Sequence, residues 1–187
     1  MRQITTLSSN RICLRQWRDE DRGAFAAMNA DARVMEFFPR RLNRVESDAM
    51  VERIQEHFSK RGFGLWAIAV RGGATFIGFA GLAVPRFTAH FTPCVEVGWR
   101  LAFEYWGHGY ATEAARLALS YGFGTLALAE IVSFTSAKNH RSRAVMERLG
   151  MRRNCVEDFD HPALPEGHRL QRHVLYRLGS DLYFGER

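Results

Sequence analysis

Two glycines, Gly107 and Gly109, stand directly before an apolar helical pattern and have the clearest chemical potential in the chain. They lie in the stretch 105–115 (YWGHGYATEAA), between an alternating apolar segment at 95–101 and a helix predicted to run to about Phe123. A strand, a short glycine-containing loop and a helix start bind phosphate well, because free backbone N–H groups and the helix dipole converge there. Glycine also leaves room for an anion to approach the backbone. The stretch therefore predicts a phosphate-binding loop, although a Gly-x-Gly pair is also common in simple tight turns.

Composition limits the class of protein. The 187 residues fit one domain, and a hydrophobic share of 47% allows a core without disulfides or metal. The three cysteines, Cys13, Cys94 and Cys155, are far apart and form no C-x-x-C pair, which favours a reducing compartment and argues against a zinc site. The chain shows no signal peptide and no run of about 20 apolar residues, so we expect a cytoplasmic protein without a membrane partner. The net charge of +6 favours an anionic ligand.

The remaining elements must position the loop. Strands are predicted at 11–17, 65–70, 75–84, 95–101, 131–135 and 173–178, and helices at 18–29, 32–38, 46–60, 110–123 and 139–150. Adjacent strands around a Gly72-Gly73 turn indicate an antiparallel meander. The expected fold is α+β, with a mixed, mainly antiparallel sheet of about six or seven strands and helices on both faces. We expect a lead-in at 1–10, one domain at 11–179 and a tail at 180–187.

Four stretches in order resemble the GNAT superfamily of acetyl-CoA-dependent N-acetyltransferases. They are 62–66 (GFGLW), 95–101 (VEVGWRL), 105–114 (YWGHGYATEA) and 139–151, which runs from NHRS to LGM. The match is to the ribosomal-protein N-terminal acetyltransferase-like (RimJ/RimL-like) branch, and it spans residues 11–179. One departure is Trp106, which stands where the general superfamily pattern has Gln or Arg. The departure bears on the branch more than on the cofactor.

The resemblance implies that the strand at 95–101 splays from the strand at 131–135 and that acetyl-CoA, the acetyl donor, enters the gap. It also implies that backbone groups at the end of the first strand hold the pantetheine arm, that loop amides hold the diphosphate, and that an asparagine contacts the pantetheine chain. The corresponding positions here are Trp99, Arg100, Leu101, Gly107, His108, Gly109, Tyr110, Ala111, Thr112 and Asn139.

Acetyl transfer to an amine needs a proton acceptor for the amine and benefits from a proton donor for the departing thiolate. Glu96 is the first candidate for the base, since a partly buried carboxylate two residues before Gly98 would have a raised pKa. Ser142 matches a serine that the branch places near the thiol and is the candidate acid. The competing interpretations are a solvent-facing or salt-bridged glutamate and a helix-surface serine. His161 or His173 as the base also stays open.

The acceptor is expected to be a primary amine, either a protein N-terminus, including that of a ribosomal protein, or a small molecule. A homodimer is left open, and scattered arginines without an RNA-binding motif argue against direct nucleic-acid contact. The C-terminal histidines match no metal-ligand spacing, so no metal is expected. Two other functions remain: a non-catalytic acetyl-CoA or RNA-binding adaptor, and a dinucleotide-dependent enzyme. Against the latter, Thr112 replaces the third glycine of its fingerprint and Glu130 precedes its strand.

Overall fold

Nine strands form one sheet in the computed structural model, which describes residues 5–185. The strands are β1 (Leu7–Ser8), β2 (Ile12–Arg15), β3 (Leu65–Val70), β4 (Gly78–Ala83), β5 (Glu96–Leu101), β6 (Glu130–Ser136), β7 (Arg152–Arg153), β8 (Phe159–Asp160) and β9 (Arg172–Gly179). The helices are α1 (Asp21–Ala30), α2 (Arg44–Arg61), α3 (Tyr110–Gly124), α4 (His140–Arg148) and α5 (Ser180–Gly185). Within this part of the chain, no helix is long and apolar enough to cross a bilayer.

The sheet is open and mainly antiparallel, in the order β1-β2-β3-β4-β5-β6-β9-β7, with β8 also paired to β9. Every neighbouring pair is antiparallel except β5 and β6, which run parallel. The predicted α+β class, the antiparallel meander and the mixed sheet are therefore confirmed. Six of the strands are longer than two residues, in agreement with the predicted number.

Helices cover both faces of the sheet. Phe25 of α1 meets Phe79 of β4 with ring centroids 6.0 Å apart, which places α1 on one face. On the other face, Gly122 of α3 lies so close to Ile131 and Leu82 that an added Cβ would be 2.6 Å from Ile131 Cδ1. This close approach fixes α3 across β4, β5 and β6 and holds its N-terminus at the edge where β5 ends.

The segment between α1 and α2 corrects one prediction. Residues 32–38 form successive turns and not a helix. Val34 and Met35 are buried and anchor these turns, while Pro39 prevents a helix from continuing. Helix α2 also starts earlier than the predicted 46, because Asn43 and Glu46 form a reciprocal capping box at its N-terminus.

Segments expected to be irregular contribute elements of their own. The lead-in supplies β1, and the tail supplies α5, whose Tyr183 ring packs 4.7 Å from that of Phe123. Phe159–Asp160 pairs with β9 inside the predicted loop at 158–162, because the buried Phe159 ring holds the segment against the sheet. Residues 1–4 and 186–187 of the predicted lead-in and tail lie outside the described residues. The domain limits 11–179 stay a prediction.

Candidate active site

A cleft of about 1050 Å³ opens where β5 and β6 diverge. The two strands pair at one position, Glu96 with Val132, next to a backbone hydrogen bond of 2.9 Å from Val132 N–H to Val95 O. At the next step the Val97 carbonyl accepts from the Ser133 hydroxyl at 2.9 Å. A side chain thus replaces the backbone donor of a regular ladder, and the strands splay as the resemblance implied.

Six consecutive backbone amides are available at the start of α3. Residues 107–112 donate no backbone N–H hydrogen bond to any residue in the described range 5–185. Gly107 and Gly109 both have φ of 80°, a left-handed conformation that turns successive N–H groups toward a common side. The partial positive charge at the start of α3 adds to them. The predicted loop therefore has the geometry of an anion site and is more than a tight turn.

Most of the predicted cofactor residues line this cleft. They are Trp99, Arg100, Leu101, Gly107, Gly109, Tyr110, Ala111, Thr112 and Asn139. His108 is not among the lining residues: its Nδ1 lies 2.8 Å from Trp106 O, and its ring stacks on Tyr110. His108 can therefore contribute its backbone amide, while its imidazole contacts other residues of the loop.

The backbone expectation for Arg100 needs a correction. Ala102 N–H donates to Ile77 O beside β4, and the Val97 carbonyl faces β6. Because backbone groups alternate along a strand, those of Trp99 and Leu101 face the gap while those of Arg100 face β4. Arg100 can reach the cleft only with its side chain.

Two side chains near the gap are already committed within the chain. The Trp106 indole N–H donates to Leu101 O at 2.9 Å. The residue that departs from the general family pattern therefore already occupies one of the backbone carbonyl oxygens that face the gap. Asn139 caps α4 as predicted: its Oδ1 accepts from Ser142 N–H at 3.2 Å, and its Nδ2 donates to Thr135 Oγ1 at 3.0 Å. Both polar atoms of the Asn139 side-chain amide are therefore already hydrogen-bonded within the chain.

Glu96 is the one acidic residue lining the cleft in the part of the chain that the structure describes. Its Oε1 leans toward Gly98 and would lie 3.7 Å from a Cβ placed there, which puts the carboxylate beside the point where the strands diverge. Burial raises the pKa of Glu96 to about 8. A carboxylate that holds its proton this strongly is suited to accept one from an amine near neutral pH.

The other candidates for proton transfer also line the cleft. Ser142 Oγ accepts from Asn139 Nδ2 at 3.1 Å, which leaves its own O–H available to donate. The rings of His161 and His173 lie 4.9 Å apart, and burial lowers the pKa of both. His161 Nδ1 accepts from Ala163 N–H, whereas His173 Nδ1 faces the Gln171 carbonyl and must donate. His173 therefore keeps an Nε2 lone pair and is the better alternative base.

No local sequence pattern indicates the contacts that hold the loop in place. Arg11, just before β2, donates from Nε to Glu113 Oε2 at 2.7 Å and from Nη1 to His108 O at 3.0 Å. Its guanidinium also lies 5.1 Å from the centroid of the Tyr110 ring. Arg11 thus ties the loop and the first turn of α3 to β2, across about a hundred residues of chain.

We expect Arg11→Met to raise the KM for acetyl-CoA about threefold to tenfold and to lower the free energy of unfolding by less than about 1 kcal/mol, since exposed ion pairs contribute little stability. Steady-state kinetics and urea unfolding measure the two effects. Arg44→Met is the matched control, because Arg44 forms a similar exposed pair with Asp48 outside the cleft. An equal KM in both variants would contradict the proposed support of the loop.

Most of the chain matches a known protein family. The family model described as "Acetyltransferase (GNAT) domain" matches residues 11–152. The chain belongs to this GNAT acetyltransferase family. It is 30% identical over 152 residues to the uncharacterized protein YkkB of Bacillus subtilis, covering 81% of this chain and 87% of that protein. It is 38% identical over 102 residues to the FsC-acetyl coenzyme A-N(2)-transacetylase of Aspergillus fumigatus, covering 52% of this chain and 42% of that protein.

A solved GNAT acetyltransferase from Bacillus anthracis superposes on this domain with a TM-score of 0.78 at 22% identity, covering 95% of this chain and 99% of that one. At this identity the likeness shows the fold alone. The family match, with the fold in agreement, identifies this GNAT protein as an acyltransferase of a family that uses acetyl-CoA.

Proposed function

We propose that this GNAT protein transfers an acetyl group from acetyl-CoA to a primary amine by direct attack in a ternary complex. The observation that carries the proposal is the run of free amides at 107–112 beside the gap between β5 and β6, within one cleft that also contains Glu96. The amides suit a diphosphate, and the gap suits an extended amide-bearing arm that pairs as an added strand. The residues present therefore fit acetyl-CoA as a substrate.

Glu96 is assigned as the base, directly or through a water molecule. The attacking amine must be neutral, and Glu96 takes its proton as the new C–N bond forms and the thioester C–S bond breaks. The carbonyl oxygen gains negative charge during this step, and a backbone N–H of β5 that faces the gap is the donor we assign to it. No covalent intermediate with the enzyme is required.

Ser142 is assigned as the donor to the departing sulfur. We expect Ser142→Ala to lower kcat about tenfold, less than positioned proton transfer usually contributes, because a thiolate is already a good leaving group. Ser142→Thr should retain most of the activity because it keeps the hydroxyl. The loss should shrink with an acetyl thioester whose thiol has a lower pKa, because that thiolate leaves without a proton. A loss that is the same for both thioesters would assign Ser142 a structural role at the start of α4.

The proposal is tested by incubating the protein with acetyl-CoA and a panel of small amines and peptides, with free-thiol release and product mass as the readouts. Amine-dependent thiol release with acetylated product supports it. Stabilisation by acetyl-CoA in a thermal-shift assay without turnover of any amine would favour the adaptor interpretation, and stabilisation by NAD or RNA would favour the remaining alternatives. Glu130, the ribose-binding candidate of the dinucleotide alternative, is already paired with Arg177 at 2.6 Å.

The acceptor class and the cell compartment remain proposals. A ribosomal-protein N-terminus is supported by the four sequence stretches that resemble that branch, and the cytoplasm by the cysteine usage. A homodimer and a lack of nucleic-acid contact stay predictions of the same kind.

A further inference from the structure

The guanidinium of Arg100 is buried in the wall of the cleft without a carboxylate partner in the part of the chain that the structure describes. Arg100 is 8% exposed, and its Nη1 donates to Asn29 Oδ1 at 2.6 Å. Its Nε has no hydrogen-bond partner among residues 5–185, and no acidic side chain within that range forms an ion pair with it. The guanidinium lies over the Phe38 ring, with Cζ 3.9 Å from the ring centroid.

Two other arginines that line the cleft, Arg33 and Arg141, each have a carboxylate partner. Arg33 pairs with Asp31 at 2.6 Å, and Arg141 pairs with Glu36 at 2.5 Å. The partner of Arg100 is instead a neutral amide, which Ser47 holds in turn by accepting from Asn29 Nδ2 at 2.9 Å. The chain therefore orients the guanidinium without neutralising it.

Such an arrangement is costly unless an anion completes it. Removing a charge from water is unfavourable when no counter-charge accompanies it. Burial lowers the pKa of Arg100 to about 9, so the group still carries its charge at neutral pH. A ligand anion in the cleft would supply the missing counter-charge.

The position of Arg100 separates it from the diphosphate. Its side chain meets Asn29 of α1, on the face opposite to the one that α3 covers. Glu96 and Arg100 share this face of β5 because they are four positions apart along the strand, and they flank Gly98. The rise of an extended strand puts their Cα atoms about 13 Å apart, and the Glu96 carboxylate shortens the span by leaning toward Gly98. Phe37, Phe38 and Phe134 add apolar lining to the same cleft.

We propose that the amine acceptor of this GNAT protein carries a carboxylate and that Arg100 binds it, so that the amine lies beside Glu96. The inference rests on the proposed acetyl transfer and names its substrate class: a small amino acid, or a peptide with an acidic side chain near its N-terminus. Arg100 then acts as a specificity-determining residue, and the aromatic lining contacts the body of the acceptor.

The test compares acids with their amides as acceptors. L-phenylalanine, L-glutamate and β-alanine are each paired with their C-terminal amide, and tetrapeptides with Asp or Asn as the second residue form the peptide arm. The wild type should acetylate at least one acid with a KM about tenfold below that of its amide. Arg100→Met, which keeps an apolar stem against Phe38, should remove this preference by raising the KM for the acid while leaving the KM for the amide unchanged. A preference that appears only for the Asp peptide assigns the carboxylate to a peptide side chain.

Arg33→Met is the matched control, because Arg33 also lines the cleft and stacks on an aromatic ring, 3.9 Å from the Phe103 centroid, but has its own carboxylate. It should leave the ratio of acid to amide unchanged. Arg100→Lys keeps the charge but lacks the planar guanidinium, and it replaces Arg100→Met in the test if Arg100→Met does not fold. Arg100→Lys should weaken the preference for the acid and not abolish it. A wild type that uses acids and amides equally, or a preference that survives in Arg100→Met, overturns the proposal.

A binding assay keeps this test distinct from that of acetyl transfer. In the presence of CoA, the preferred acid should raise the thermal unfolding temperature of the wild type but not of Arg100→Met, and its amide should have no such effect. If no amine is acetylated and this acid-selective shift is still found, the carboxylate site stands and the proposed reaction is wrong. If amines are acetylated without acid-selective binding, the reaction stands and the carboxylate site is wrong.

Discussion

Glu96→Gln is expected to lower kcat by about 10²- to 10³-fold, within the range that general-base catalysis contributes. Glutamine keeps the size of the side chain and its place beside Gly98 but cannot accept the amine proton. The KM for acetyl-CoA should stay unchanged, because no step of cofactor binding is assigned to this carboxylate. Steady-state kinetics with the best acceptor from the amine panel measures both quantities.

The pH dependence gives this prediction a second readout. Because the pKa of Glu96 is raised to about 8, the wild-type kcat, measured with an acceptor amine whose own pKa lies well below 8, should increase with pH through about 8 as the base loses its proton. Glu96→Gln should lack this limb. The free energy of unfolding changes with pH in the opposite direction to the rate. The folded state binds this proton more tightly than the unfolded chain, so the resulting stabilisation is lost as pH rises from 4.5 through about 8. The unfolding temperature of Glu96→Gln should therefore rise relative to the wild type over that interval.

His173→Asn is the control for the choice of base. Burial lowers the pKa of His173 below 6.5, so a limb that depends on this residue would lie in the acidic range. Full turnover of Glu96→Gln at neutral pH, together with loss of an acidic limb in His173→Asn, would transfer the base from Glu96 to His173. A limb near pH 8 that survives in His173→Asn supports Glu96.

Gly107→Asp is expected to raise the KM for acetyl-CoA about a hundredfold, because a carboxylate would then stand among the amides that we assign to the diphosphate. Gly107 has φ of 80° and nothing within 4 Å of an added Cβ, and Asp tolerates this backbone region better than most residues. The variant should therefore fold. Initial rates over a range of acetyl-CoA concentrations measure the effect.

Three comparisons isolate the cause of that effect. Gly107→Asn has the same shape without the charge and should raise the KM about tenfold or less, which corresponds to one weakened hydrogen bond. Gly72→Asp has the same left-handed backbone and open space in the β3–β4 turn, outside the cleft, and should leave the KM unchanged. Acetyl-pantetheine lacks the diphosphate, so the wild type and Gly107→Asp should use it equally well. A hundredfold loss with acetyl-pantetheine as well would place the effect elsewhere in the loop.

Local patterns explain why much of this protein is readable from its sequence. The loop at 107–112, the strand before it and the helix after it are contiguous, so their geometry follows from nearby residues. The same holds for Asn139, whose capping contact is with Ser142 three residues later. The turns at 32–38 differ, because the segment carries apolar residues at helical spacing and yet contacts distant parts of the chain, Arg100 through Phe38 and Arg141 through Phe37.

The sequence by itself thus determined the family, the order of the six longer strands and of helices α1 to α4, the glycine-containing loop before α3 and the candidacy of Glu96. Only the tertiary structure decided that Arg11 supports the loop, that the backbone of Arg100 faces β4, and that its guanidinium lies buried without a counter-charge from residues 5–185. The physical reason is that charge, solvation and hydrogen-bond direction depend on which atoms surround a group. For Arg11 and Arg100 those atoms come from Glu113 and Asn29, which lie 102 and 71 residues away along the chain.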